Sequence, residues 1–472
     1  MKILFVALSG SIHTVRWINQ LKNEDWELYL FPSYDNRGIH NDLSDLIIFR
    51  PYRGLFSFLE NLGLGPLSKF VYTKKFHPDG KFDKYKARLV FRGDKWYDVY
   101  NNKTYAGTVM TESVRLLLAI AAAEDMELES ADVNSAFLYG EIPDTQSIFM
   151  KRPSGLTDVD MPPVVRLLKS IYGLPMASAK FREHSDQTLK RMGFNPTISD
   201  PRIYVKFYSD GTKAYISVHV DDLGIAASNQ KIMNEIKTDL LKVYKLNFNT
   251  DFNYYLGMLI ERDRKNKTIK VSQPGYIMEM IETFHVDTSY SPLTPMVDNP
   301  RPIISDTNPL LNNTDQQLYQ SKIGSCLWLA NATRPDTLFA VNMLSRYTHA
   351  PTLFDMKAID RVLQYIAGTP DHGLVFFSDE GVVLYCTVDS SYGNHTDRKS
   401  HSGCTLHIGR NSSAFLSRSK KQSITADSST VAELIATHLA SKEIMWARSL
   451  LAEMGYLQVN PTILQEDNMS TR

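Results

Sequence analysis

The chain has 472 residues, 43% of them hydrophobic, with 52 basic against 52 acidic residues and a net charge of zero. That length allows several packed cores and about three domains, the apolar content excludes a disordered chain, and the even charge argues mildly against nucleic acid as a partner. No run of about 18 apolar residues marks a membrane span, and Cys326, Cys386 and Cys404 form neither a CxxC pair nor a disulfide ladder.

The first segment, MKILFVALSGSIHTVRW, has an apolar run too brief for a secretory signal and lacks a small-residue cleavage site. A buried strand and an intracellular, reducing setting are expected. KILFVAL, the Ser9-Gly10-Ser11 turn, a helical pattern through Ile18 and Leu21, and WELYLF together predict a Rossmann-like β-α-β unit over residues 1–70. A new texture starts near Lys69, where FVYTKKFHPDGKFDKYKARLVFRG places a Pro-Asp-Gly turn between two alternating strands. Between Thr73 and Trp96, Lys74, Lys75, Lys81, Lys84, Lys86, Arg88, Arg92 and Lys95 outnumber Asp79, Asp83 and Asp94. With Phe76, Phe82 and Tyr85 interleaved, the hairpin is either a solvated element or a grip for phosphates and bases.

Further along, TESVRLLLAIAAA predicts a helix over Thr111 to Ala123, and MELESADVNSAFLYG a strand running into a turn. AKFREHSDQTLKRMGF and QKIMNEIKTDLLKVY read as helices, AYISVHV and LGIAAS as strands meeting at Asp221-Asp222, and YYLGMLIERDRKNKTIKVS as a hairpin. Residues 286–315, rich in Pro, Asn, Asp, Thr and Ser, read as a linker. A helical stretch over 316–368, a β-rich unit from Gly373 to Phe415 and a helix near 428–454 complete the chain.

Asp132 stands at a strand end, and Asp221 and Asp222 at a hairpin tip. Neighbouring carboxylates at a tight turn repel one another, a strain that a hard cation such as magnesium or manganese would relieve, although a solvated turn is the plain alternative.

KARLVFRG, ADVNSAFLYGEI, IFMKRPSG, RLLKSIYGLPMASAKF, SVHVDDLGIAAS and YLGMLIERD occur in the order found in copia-type reverse transcriptases, which this chain resembles. The resemblance implies an α+β right-hand polymerase of fingers, palm and thumb over 71–285. It makes Asp132, Asp221 and Asp222 the catalytic metal ligands for two Mg2+ or Mn2+ ions. Lys86 and Arg88 become triphosphate contacts, Phe137 the ring that selects deoxynucleotides, Met176 a further nucleotide-site residue, and Tyr255, Leu256 and Gly257 the primer grip. The implied partners are an RNA template, a DNA primer strand, an RNA/DNA hybrid and dNTPs, with no membrane.

Downstream, LYCTVDSSYG, DRKSHSGCTLHIG, SRSKKQSITADSSTVAELIA and QEDNMSTR resemble the RNase H of the same elements. Asp389, Glu433 and Asp467 are then its catalytic metal ligands, in an RNase H-like α/β domain over 373–472 that stops short of the family's fourth acid, behind a linker and connecting region over 286–372. Residues 1–70 are similar to the N-terminal edge of a GT-B glycosyltransferase. Three positions depart from the reverse transcriptase pattern: Met176 replaces a glutamine, Phe181 a tryptophan, and His219 the aromatic before Val-Asp-Asp. These departures leave open the alternative of a non-catalytic transposon relic or chimeric fragment.

Overall fold

The computed structural model describes residues 2–7, 27–32, 47–48, 69–76, 82–95, 104–152, 164–297 and 304–467. At the N-terminus β1 (Lys2–Ala7), β2 (Glu27–Pro32) and β3 (Ile47–Ile48) run parallel in that order. Parallel neighbours require a crossover. The helix expected there and the Ser9-Gly10-Ser11 turn lie outside the described residues. β4 (Lys69–Phe76) and β5 (Phe82–Val90) form the antiparallel hairpin expected from the alternating pattern, paired from Lys69↔Val90 to Phe76↔Phe82. Its Pro-Asp-Gly tip is likewise outside the described residues.

Helix α1 (Thr111–Ala123) coincides with the predicted helix, and β6 (Glu127–Val133) follows it. Asp200 accepts the Met110 amide at 3.0 Å, supplying the helix N-terminus with the acceptor that Met110 itself lacks. A short 3-10 turn over Ala136–Tyr139, the pair β7 (Phe149–Lys151) and β8 (Val164–Arg166), and α2 (Ala177–Arg191) come next.

The chain divides into two compact units, one of residues 1–106 with 135–187 and one of 107–134 with 188–472. Neither unit is contiguous in sequence. Strand β6 is the reason: it belongs by pairing to a sheet whose other strands all lie after residue 194. The first unit has a core of Phe91, Ile142, Ile148, Met150, Leu167, Leu174 and Met176. Gly173 makes that core possible, because at φ +82° a Cβ there would lie 2.0 Å from the Phe91 carbonyl oxygen.

The second unit is built on a six-stranded sheet. After β9 (Asn195–Pro196), β10 (Ile203–Phe207), β11 (Lys213–His219), β12 (Asp222–Ala227) and β13 (Leu246–Asn249), the spatial order is β13-β6-β12-β11-β10-β9. β11 and β12 are buried almost throughout, which explains their continuous apolar reading. Helix α3 (Gln230–Leu241), capped by the Asn229 side chain, buries Ile232, Met233, Ile236 and Leu240 at helical spacing. A second sheet holds β14 (Tyr254–Tyr255), β15 (Met258–Asp263), β16 (Thr268–Ser272) and, from much later in the chain, β17 (Leu374–Phe376).

Helices α4 (Pro274–Phe284), α5 (Asn313–Ala332), α6 (Leu338–Ser345) and α7 (Leu353–Ala367) share one apolar cluster around Tyr319, Ile323, Val341 and Val362. Thr352 and Asp355 close a capping box at the start of α7. The C-terminal sheet runs β20-β19-β18-β21, from β18 (Leu384–Ser391), β19 (His401–Ile408), β20 (Ala414–Lys421) and β21 (Ile463–Gln465), with α8 (Ser429–Glu453) packed on β18 and β19. Among the described residues no helix is long and apolar enough to cross a membrane.

Gly224 on β12 tests how tightly the six-stranded sheet is packed. A Cβ there would lie 2.6 Å from Ser217 Oγ and 2.8 Å from Tyr255 Cζ. Gly224→Val is expected to destabilise the chain by about 1–3 kcal/mol through overpacking, read as a lower urea midpoint at unchanged m.

Candidate active site

The central register of the six-stranded sheet brings the first acids together. Asp222 pairs with Asp132 across β12 and β6, and the Val133 amide donates to the Asp221 carbonyl at 2.9 Å. Asp221 occupies the tip of a two-residue hairpin closed by His219↔Asp222. Its neighbour in that tip, Val220, has φ 54°. A β-branched residue in the left-handed region stores strain of about 1–3 kcal/mol, which the well-buried flanking strands hold in place. Asp132 is exposed and the adjacent pair half-buried. Burial, then the charges of Asp221 and Asp132, push the Asp222 carboxyl up to about 6. The three acids thus feel one another across the strand register.

The predicted Tyr255-Leu256-Gly257 turn sits beside them. Tyr255 pairs with Met258, and Leu256 and Gly257 have φ 49° and 81°, the two positive values of a type I′ hairpin. The Tyr255 side chain is only 3% exposed, its hydroxyl lies 3.0 Å from Ser217 Oγ, and burial raises its phenol. Its ring faces Gly224. Tyr255 therefore anchors the turn to β12 through its buried side chain. Sequence reasoning missed Trp328 on α5. It is 47% exposed, and a Cβ at Gly257 would be 3.7 Å from its Cζ2. Its helix is fixed by buried Arg115, which donates to the carbonyls of Asn331 at 2.6 Å and Ala332 at 3.0 Å, the unpaired end of α5. Only the spacing of Trp328 from the apolar positions Ile323, Cys326, Leu329 and Ala330 carried a hint of exposure.

A second group lies in the C-terminal sheet. Asp389 on β18, Glu433 on α8 and Asp467 after β21 each offer a carboxylate oxygen, all within 4.8 Å of one another. Ser428 caps α8 and sets its first turn against β18, so that Glu433 is buried there. Glu433 Oε1 accepts the Ser390 amide at 3.3 Å, while its buried Oε2 has no hydrogen-bond partner. Desolvation raises the Glu433 carboxyl, opposed by the Ser390 hydrogen bond and reinforced by Glu466 and Asp389. An orphaned anionic oxygen among two further carboxylates is an arrangement that a divalent cation completes.

In the first unit, Phe137 meets Tyr172 edge-on at 4.7 Å, and the Arg88 guanidinium lies 5.6 Å from the same Tyr172 ring. Two of the expected nucleotide residues are thus joined through a tyrosine. The Lys86 side chain lies outside the described residues. Met176 requires a correction: it is fully buried among Phe91, Ile142 and Leu174, so it fills the core and does not touch a nucleotide. A thioether in place of an amide suits that apolar setting.

With this geometry in view, the comparisons with known proteins are direct. Residues 65–298 match the family model described as reverse transcriptase (RNA-dependent DNA polymerase). The chain is 32% identical over 410 residues to the retrovirus-related Pol polyprotein from transposon RE2 of Arabidopsis thaliana, covering 85% of this chain and 27% of that protein. It is 30% identical over 475 residues to the corresponding RE1 polyprotein of the same plant, covering 99% and 31%. To the putative transposon Ty5-1 protein of Saccharomyces cerevisiae it is 31% identical over 315 residues, covering 66% of this chain and 99% of that one.

The chain belongs to the reverse transcriptase family. Within it, its relatives include Pol polyproteins of copia-type retrotransposons. It spans roughly 30% of the length of the two plant polyproteins.

The Asp222 shift has a consequence for stability. Its carboxyl is protonated in the folded chain up to about pH 6 but ionises near pH 4 when unfolded. Without divalent ions, its contribution is complete below about pH 4 and is lost as pH rises through 6. Because the group is half-buried, the loss is on the order of 1 kcal/mol. Thermal melts in chelator from pH 4 to 7 should show this decline, and Asp222→Asn should flatten it.

Proposed function

We propose that this chain is an RNA-directed DNA polymerase that extends a DNA primer on an RNA template from dNTPs, with an associated RNase H-like unit. The observation that carries the proposal is the cross-strand register of Asp132 with Asp222, with Asp221 at the adjoining hairpin tip. On this reading the six-stranded sheet is the palm, the β4-β5 hairpin belongs to the fingers, and the α4–α7 helices take the part of thumb and connection.

Asp132, Asp221 and Asp222 would hold magnesium or manganese, since hard carboxylate oxygens select such ions. Ions held by these carboxylates would supply charge stabilisation for nucleotidyl transfer at the attacking and leaving oxygens. The chain's own groups do the rest. Arg88 offsets the triphosphate charge, and Phe137 excludes a ribose 2′-hydroxyl by its bulk. The Leu256-Gly257 turn steadies the primer end, with the exposed face of Trp328 beside it as a surface for a base or sugar. In the C-terminal sheet, Asp389, Glu433 and Asp467 would hold ions for hydrolysis of the RNA strand of a hybrid. An intracellular setting fits this work and the family.

Primer extension on poly(rA)/oligo(dT) with magnesium tests the proposal. Wild type should extend the primer and Asp221→Asn should not, by at least a hundredfold; equal signals from the two would defeat the assignment. Trp328→Ala should weaken binding of the same duplex about tenfold, in line with the usual worth of a stacked aromatic, as measured by fluorescence anisotropy.

A further inference from the structure

The C-terminal sheet does not hang from a tether. The apolar cluster containing Ile203, Val205, Tyr215 and Ala226 of the six-stranded sheet continues without interruption into Leu384, Cys404, Phe415, Leu450, Leu451 and Met454. Polar contacts line the same seam. The fully buried Tyr215 donates its hydroxyl to the Met454 carbonyl at 2.6 Å. Glu453, at the end of α8, accepts the Ser199 hydroxyl at 2.5 Å and the amides of Ile198 and Ser199, and the Trp446 indole donates to the Ser199 carbonyl at 3.2 Å. Arg418 of β20 bridges Glu112 of α1 at 2.6 Å and Glu443 of α8 at 3.0 Å.

The fit is close. The Lys213 ammonium lies 3.7 Å from the centre of the Tyr456 ring, and Gly455, at φ +85°, stands where a Cβ would be 2.8 Å from the Phe207 ring.

We infer that the far end of β10 and β11 is an intramolecular docking surface whose partner is the C-terminal end of α8, so that both acid centres lie on one cooperatively folding body. Two domains that merely touch bury a polar, separable interface. Here Tyr215 and Met454 are both core residues, and the desolvated hydroxyl and carbonyl between them lose their partners if either side leaves. Strand β11 runs on from Tyr215 to the strained tip at Val220 and Asp221, so the order of that tip depends on a unit that contributes none of its acids. The inference rests on packing alone and does not require the polymerase reading.

Hydrogen exchange of the full chain, followed by mass spectrometry, tests it. In wild type the slowest amides of α1, β11 and α8 should open with the same free energy. Glu453→Gln, a change on α8, should lower protection of α1 and β11 about as much as that of α8, on the order of fivefold for the loss of a charged acceptor. Tyr215→Phe, a change on β11, should do the reciprocal. Protection that falls only in the segment carrying the substitution, or in neither, overturns the inference. So does a wild-type α8 that opens while β11 stays protected. Primer extension measured in parallel keeps the two questions apart: an inactive wild type with coupled exchange removes the polymerase reading and leaves this one standing.

Discussion

Like charges held close together are the constraint around which this chain is organised. Asp132 and Asp222 face each other across a strand pair, and Asp221 adjoins them at a hairpin tip, so the fold must carry a burial cost and a repulsion that together raise the Asp222 carboxyl to about 6. A flexible turn would relax by spreading the acids into solvent. This one cannot, because β11 and β12 are buried on both faces and their register is set by apolar side chains. The positive φ of Val220 is a second cost borne by the same strands. Both costs fall on the metal-free protein, and a divalent cation offsets the first.

Much of this was legible in the residues, because the relevant signals are local. The helix over Thr111–Ala123 announces itself by a continuous apolar run of helix formers, and the β11-β12 hairpin by two short apolar runs meeting at Asp221-Asp222. The order of motifs then tied Asp132 to that pair, although nothing in the local pattern requires β6 to sit beside β12. What could not be read was burial. Met176 and Tyr255 are residues whose chemistry suits either a core or a site, and each was assigned a ligand role that its burial rules out for the side chain. Trp328 carried no assignment at all: a tryptophan in a helix suits a core as well as a surface, and this one is exposed next to Gly257. The division into units was also hidden, since β6 leaves its chain neighbours to pair with strands from much later in sequence.

The second acid centre shows the same physics with a different support. Asp389, Glu433 and Asp467 come from a strand, a helix and the end of an edge strand, so no single hairpin holds them. Their spacing depends on α8 being pinned, first by Ser428 at its start and then by Glu443 and Glu453 further along. Because α8 is one continuous helix of 25 residues, any shift at its far end is transmitted to Glu433 near its beginning. The contacts of Glu453 with Ser199 therefore bear on the geometry of an acid five turns away.

Net neutrality, which taken alone argued against nucleic acid, is compatible with this arrangement once the charges are placed. Many cations are spent inside the protein: Arg418 between Glu112 and Glu443, Lys237 on Glu129, Arg262 and Arg264 on Asp125 and Glu127. Arg115 is used up against the end of α5. The acids concentrated at the two centres are the counterpart of those paired cations. Net charge counts all these groups equally, whereas a charged partner meets only those left at the surface. The quantity that governs partner choice is thus the distribution of unpaired charge, which pairing in three dimensions sets and a sum over residues cannot supply.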